Sequence, residues 1–270
     1  MTVPAPTPEI KIGVLALQGA FSEHIQLLRR ASTSLPFSAF TFHEIRTPVE
    51  LTHCDALIIP GGESTAISLV AARSGLLEPL REFVKVQRKP TWGTCAGLIL
   101  LSESANRTKK GGQELIGGLD VRVNRNHFGR QTESFQAALR LPFLGDVDQD
   151  PFRCVFIRAP VVEKILPHEE GVQVAGEDTV VAPSKAPAEG VASGEVAGAV
   201  EVMARLPGKT QTPEQDGGEG NVIAVRQGNV FGCSFHPELT EDARIHAWWL
   251  DEVRRAVERR REFVIADRTE

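Results

Sequence analysis

Short apolar runs alternate with longer mixed segments through the first half of the chain. Lys11 to Leu17 (KIGVLAL) is apolar, β-prone and too short for a helix, so it reads as a buried strand. A turn at Gln18-Gly19 follows, then a helix from about Phe21 to Ala31. Ala56 to Ile59 (ALII) reads as a second strand, stopped by Pro60-Gly61-Gly62, and a helix begins near Ser64 or Thr65. Leu76 to Gln87 is another helix, with Pro79 tolerated in its first turn. Thr91 to Gly93 is a short strand leading through Thr94-Cys95 into an apolar helix, Ala96 to Ser102. This alternation implies the α/β class, with a mainly parallel sheet covered on both faces. In such sheets, sites form at the carboxyl ends of the strands. The Gly61-Gly62 turn and Cys95 both fall there.

The second half is richer in strands. Val121 to Arg125, Ser134 to Leu141, Arg153 to Ile157, Val222 to Gln227 and Val230 to Phe235 all qualify, with a hairpin turn at Gln227-Gly228-Asn229. A helix from about Glu241 to Phe263 closes the pattern, acidic at its start and basic at its end, as suits a helix dipole. Glu177 to Gly220 stands apart. It is dense in Ala, Gly, Pro, Glu and Thr and holds too few large apolar residues to offset its ordering entropy. It reads as an insertion loop with at most a short strand near Val200 to Ala204. Residues 1–9 read as a flexible tail, and 10–265 as a single domain carrying that insertion.

Composition narrows the function. Hydrophobic residues make up 41% and charged residues 24% of the 270, ordinary globular usage. The net charge of -5 argues against nucleic-acid binding, which favours a basic surface. The one basic cluster, Arg254, Arg255, Arg259, Arg260 and Arg261, reads as a solvated helix face. Cys54, Cys95, Cys154 and Cys233 are scattered, without C-x-x-C or zinc spacing, and read as reduced. With no signal pattern at the start and no run of membrane-spanning length, a soluble cytoplasmic protein is expected.

Gly93-Thr94-Cys95-Ala96-Gly97 has the G-x-nucleophile-x-G form of a nucleophile elbow, with Cys in place of Ser. A lone Cys between strand and helix is more often a core side chain. Two glycines at elbow spacing change that balance, because the tight turn needs them and a helix N-terminus favours thiolate. A thiolate needs a base, and the base an orienting group. Of the seven histidines, His236 stands out in Phe235-His236-Pro237-Glu238, directly after a buried strand. Pro237 pushes His236 toward extended backbone, where residues two apart share a side, so Glu238 can flank the ring. Pro60-Gly61-Gly62-Glu63-Ser64 offers backbone N–H groups at a Gly-rich turn, suited to an oxyanion hole.

Together with Leu17-Gln18-Gly19, the segments Arg125-Asn126-His127-Phe128-Gly129-Arg130-Gln131, Phe156-Ile157-Arg158-Ala159-Pro160 and Gly232 to Thr240 make the chain resemble the class I glutamine amidotransferases. Within them it resembles the glutaminase subunits of pyridoxal 5'-phosphate synthase, from about Ile10 to Arg255. The resemblance implies a flavodoxin-like three-layer α/β/α sandwich and a Cys95, His236, Glu238 triad. It implies L-glutamine as substrate, contacted by Gly62, Glu63, Ser64, Arg125, Ile157 and Arg158, with Gly61 and Gly62 at the oxyanion hole. Gln18 would lie at the interface with a ring-forming synthase partner and take part in activation. Neither metal nor cofactor is implied, nor nucleic acid or membrane. The 177–220 stretch and the long Ala105 to Gly117 segment depart from the compact family pattern without removing a motif residue. Three alternatives stay open: a glutaminase serving another synthase, a cysteine hydrolase of the deglycase type, and a silent binding module. The deglycase type places His directly after its nucleophile, where this chain has Ala96.

Overall fold

The computed structural model describes residues 9–35, 39–107, 113–125, 134–145, 150–169, 171–176, 178–186, 198–207 and 220–267, the last four through their backbone alone. The first half runs β1 (Ile10–Leu15), α1 (Phe21–Ser32), β2 (Phe40–Ile45), α2 (Pro48–Thr52), β3 (Ala56–Ile59), α3 (Ser64–Arg73) and α4 (Leu77–Arg81). A π-helical turn, Glu82–Val86, extends α4, so the expected helix over 76–87 is one continuous rod of two geometries. β4 (Thr91–Thr94), α5 (Ala96–Leu101), β5 (Ser102–Asn106) and β6 (Leu119–Asn124) follow. The rest comprises β7 (Ser134–Leu139), β8 (Phe152–Ile157), β9 (Val161–Ile165), β10 (Thr179–Val181), β11 (Glu201–Leu206), β12 (Asn221–Gln227), β13 (Val230–Cys233) and α6 (Arg244–Asp267).

An 11-stranded sheet has the order β10-β5-β6-β9-β12-β13-β4-β3-β1-β2, with β11 also paired to β12. From β2 to β13 every pairing is parallel. Beyond β13 the sheet is extended by antiparallel pairs, apart from the parallel β5–β6. β7 and β8 form a separate antiparallel hairpin. Strand alternation sends side chains to two cores. Leu57, Ile59 and Val230 join α3, α4 and α5 on one face. Ile58, Trp92 and Phe231 join α1 and α6 on the other. This is the expected three-layer, flavodoxin-like sandwich.

Local chemistry explains several boundaries. Thr47 and Glu50 form a reciprocal capping box before α2, with Pro48 in the first turn. Glu63 caps α3 through both carboxylate oxygens, accepting from Thr65 N at 3.1 Å and Ala66 N at 2.7 Å. The hairpin turn at Gly228 is present, with φ 55 at that residue.

Two expectations are corrected. The 177–220 stretch holds the short strand expected near 200–204, seen as β11 paired with β12, but also supplies β10, paired with β5; residues 177, 187–197 and 208–219 lie outside the described residues. Backbone hydrogen bonding to existing edges suffices where side chains bury little. The last helix begins at Arg244, three residues later than expected, because Pro237–Leu239 forms a short 3-10 turn and Asp242 bonds Arg244 N ahead of it. Strands β2, β5 and β9 and helix α2 were not anticipated. β5 (SESAN) is polar yet buried, its Glu103 neutralised by Lys85 at 2.8 Å. The residues of the expected Arg125–Gln131 segment beyond Arg125, the Lys109-Lys110-Gly111-Gly112 run and the 1–8 tail lie outside the described residues. No helix among the described residues is long and apolar enough to cross a membrane.

Leu98 is fully buried where α5 crosses the sheet; a Cβ on Gly232 of β13 would lie 2.6 Å from its Cδ1. Leu98→Ala should therefore cost about 3 kcal/mol. Urea unfolding should show a lower midpoint at unchanged slope, and a shift below about 1 kcal/mol would contradict this account of the α5 seat.

Candidate active site

Four neighbouring parallel strands deliver most of the predicted residues, while Arg125 follows β6 and Ile157 and Arg158 lie at the end of β8. Gln18 follows β1, Gly61 to Ser64 follow β3, Cys95 follows β4 and His236 follows β13. The register Ile59↔Gly93 and Cys233↔Thr94 sets their carboxyl ends side by side.

Cys95 sits between β4 and α5 with φ 47 and ψ -97, left-handed backbone that an L-residue adopts only under constraint. The constraint is steric. A Cβ on Gly97 would lie 2.1 Å from the Ile59 carbonyl oxygen, and one on Gly93 2.4 Å from the Gly97 carbonyl carbon. Both glycines are needed for α5 to approach β3 and β4 this closely. The Cys95 N–H donates to the Cys233 carbonyl at 2.8 Å, and its thiol lies 4.0 Å from the Ile157 carbonyl oxygen. Arg158, next to Ile157, is exposed and also left-handed, with φ 44.

His236 pairs with the carboxylate and interacts with the thiol. Its Nδ1 lies 2.7 Å from Glu238 Oε1, and Cys95 acts on the ring strongly enough to raise its pKa. The His236 N–H donates to Val155 O at 2.8 Å, which ties the loop to β8. Burial of the ring disfavours its charge, but hydrogen bonds and charge from Cys95 and Glu238 outweigh this and raise its pKa to about 10. The raised value means the ionised ring stabilises the fold below the usual histidine range, a contribution lost as pH rises toward about 10. Burial pushes Cys54 up to about 11, Cys154 to about 12 and Cys233 well above the ordinary range.

Gly61 lies against the imidazole: a Cβ there would meet His236 Cε1 at 2.4 Å. The Gln18-Gly19-Ala20 turn is stitched to this segment. Ala20 N donates to Gly61 O at 3.1 Å, and Glu63 N donates to Gln18 Oε1 at 2.8 Å. A Cβ on Gly62 would strike Gln18 Oε1 at 2.4 Å, so the side chain of Gln18 packs on the glycine turn. Gln18, Gly62 and Glu63 are exposed, whereas Gly61 and Ser64 are buried.

Arg125, 8% exposed, donates to Ser64 Oγ at 2.9 Å and Thr65 Oγ1 at 3.1 Å. Those hydroxyls donate onward to Gln113 Oε1 at 3.2 and 3.4 Å. Desolvation lowers the guanidinium pKa, partly offset by the charge of Glu63. Asn106 Oδ1 accepts from Arg125 N at 2.8 Å and so fixes the end of β6. The result is a cationic, hydroxyl-lined corner at the N-terminus of α3, suited to a carboxylate. Thr65, Asn106 and Gln113 were not foreseen. Gln113 had no motif around it, and its role depends on β5 and β6 lying beside α3.

An α/β sandwich with a thiol, an imidazole and a carboxylate gathered at a strained strand–helix turn has the parts that nucleophilic chemistry uses. Comparison with known proteins narrows the class. The sequence pattern of the SNO glutamine amidotransferase family matches residues 14–189 and 200–255, and the chain belongs to that family. It is 42% identical over 241 residues to a probable pyridoxal 5'-phosphate synthase subunit of Arabidopsis thaliana, covering 88% of this chain and 84% of the relative. It is 38% identical over 245 residues to the pyridoxal 5'-phosphate synthase subunit PdxT of Methanosarcina mazei, covering 90% and 98%. A crystal structure of a glutamine amidotransferase superposes with a TM-score of 0.62 at 36% identity, covering 90% of this chain and 98% of its own.

Cys95 should be the one thiol of the folded protein alkylated by iodoacetamide at neutral pH, read by mass spectrometry of the digest. Comparable labelling of Cys54, Cys154 or Cys233 would contradict the site. Cys95→Ala removes the thiol that raises His236, so its titration by NMR should move down from about 10.

Proposed function

We propose that the chain is the glutamine-hydrolysing subunit of a pyridoxal 5'-phosphate synthase, working in the cytoplasm and passing ammonia to a ring-forming partner subunit. The observation that carries this reading is the His236 ring held 2.7 Å from Glu238 Oε1 and acted on by Cys95, which sits at the strained strand–helix turn. Family membership and the names of the relatives support the pathway.

Glutamine binds with its side-chain amide over Cys95. The α-carboxylate is gripped by Arg125 beside Ser64, while Glu63 and the Ile157 carbonyl offer acceptors for the α-ammonium. Gly62 and Arg158 complete the pocket. The thiolate attacks the amide carbon, and N–H groups of the Gly61-Gly62 segment stabilise the oxyanion. The C–N bond breaks as the His236 imidazolium gives its proton to the departing ammonia. Water, deprotonated by His236, then cleaves the thioester to glutamate and regenerates the thiol. Glu238 holds the ring's tautomer and offsets its charge. Gln18, exposed on the glycine turn, is placed to transmit contact with the synthase to Glu63.

The test is glutamate release from glutamine by the purified chain, alone and with a pyridoxal 5'-phosphate synthase ring-forming subunit. Release should rise strongly with that subunit and vanish in Cys95→Ala, which remains folded. Glu238→Gln should lose less activity than His236→Ala, because orientation contributes less than the base. Full turnover by Cys95→Ala would sink the mechanism. Gly61→Ala, whose Cβ would meet the His236 ring, should lower kcat by about a hundredfold with the fold intact, since a misplaced catalytic group costs that much.

A further inference from the structure

Behind Glu238 lies a pair of histidines that the mechanism above leaves unused. His24 of α1 and His246 of α6 are both 0% exposed. His24 Nδ1 is 3.0 Å from His246 Nε2. His24 Nε2 is 3.2 Å from Thr94 Oγ1 and 3.5 Å from Glu238 Oε2. The Trp92 ring meets both imidazoles edge-on, with centroids 5.5 and 4.9 Å away.

Glu238 itself poses the problem these groups solve. Its side chain is 0% exposed, and Oε1 is engaged by His236. Oε2 makes no hydrogen bond among the described residues, and His24 Nε2 faces it from 3.5 Å, close enough for its N–H dipole to act on the charge. A carboxylate buried with one oxygen unsupported is costly.

Charge sets the tautomers. His24 Nε2 faces the Thr94 hydroxyl at 3.2 Å, which can donate or accept, and the Glu238 oxygen at 3.5 Å, which only accepts; a lone pair there would face the carboxylate, so Nε2 carries the proton. Nδ1 then holds the lone pair, and His246 Nε2 must donate to it. That leaves the His246 Nδ1 lone pair as the atom without a partner among the described residues. An unfilled acceptor costs less than the unfilled donor the opposite assignment would bury. Neutrality of both rings is required, because a cation at His24 would draw Glu238 away from His236. Burial supplies it: desolvation, then the charges of His246 and His236, hold His24 well below the ordinary range, and desolvation holds His246 at about 3 against the pull of Asp242.

We propose that His24 is a positioning residue of the active site, its Nε2–H fixing the second oxygen of Glu238, with His246 fixing the tautomer of His24. The inference rests on the glutamine-hydrolysis reading and extends the line of contacts from Cys95 to helix α6.

Three substitutions test it, each assayed for kcat and KM as the complex with the ring-forming subunit, with folding checked by circular dichroism. His24→Phe keeps the ring volume and removes the donor. It should lower kcat about tenfold and leave KM for glutamine within about twofold, since substrate contacts are untouched. His24→Gln places an amide N–H near the position of Nε2 and should restore most of kcat. His246→Phe should lower kcat in the same direction by less.

Wild-type kcat in folded His24→Phe overturns the proposal. So does a folded His24→Gln as slow as His24→Phe, because that pattern reports packing alone. A wild-type complex that releases no glutamate defeats the hydrolysis reading instead. The alkylation rate of Cys95 then carries the same comparison: slowing in His24→Phe with recovery in His24→Gln supports the placement of Glu238, and equal rates in all three overturn it.

Discussion

The approach of α5 to the sheet is the constraint from which the site follows. The Gly97 backbone lies against the Ile59 carbonyl, and Gly93 lies against Gly97. No side chain fits between them, so the chain must turn from strand to helix within one residue. That residue is Cys95, at φ 47. The strain is maintained by close packing on both sides, with Leu98, Leu100 and Leu101 essentially sealed in the core. Its consequence is chemical: the thiol projects from the end of the sheet toward the loop that follows β13.

Electrostatics then decides which histidine carries charge. Three rings lie close together near the ends of β4 and β13, and all are buried. Only His236 has an anion-forming partner on each side, and only it is raised, to about 10. His24 and His246, facing one another and Trp92, are driven the other way. One cation among two neutral rings gives Glu238 a single strong partner. It also keeps the net charge of the buried cluster low, which a core of Phe235, Ile245 and Trp249 can tolerate.

Much of this was legible in the sequence because the relevant signals are short-range. The elbow is read from two glycines flanking a cysteine. The Glu238 position is read from Pro237 and a two-residue offset. The Gly61-Gly62 turn is read from its place after an apolar run. What escaped depends on distant pairing. Ser102 to Asn106 looks like a polar loop until Lys85 and the β10 and β6 edges meet it. Phe40 to Ile45 is only half-buried at the sheet's edge and lacks a strong apolar run. Gln113, Thr65 and Asn106 acquire meaning only when β6 delivers Arg125 beside α3. His24 and His246 are 222 positions apart and carry no shared motif. A buried polar pair of that separation is visible only as geometry.

The two halves of the site are built on different foundations. The reacting groups hang from β1, β3, β4 and β13, the continuous parallel part of the sheet, where each strand is held on both sides. The cationic Arg125 corner instead depends on β5, β6 and residue 113, beyond the point where the sheet turns antiparallel. Its main cation, Arg125, is positioned by a side-chain contact from Asn106 and by two hydroxyls, not by a strand running into a helix. Support is therefore densest around Cys95 and His236 and sparser around Arg125. Gln18 joins the two, for its oxygen holds the amide of Glu63 while Glu63 caps the helix that presents Ser64 and Thr65 to Arg125. A push on the exposed face of Gln18 would reach the Gly61-Gly62 turn and the Arg125 corner through one helix N-terminus, and leave Cys95, His236 and Glu238 where the sheet has fixed them.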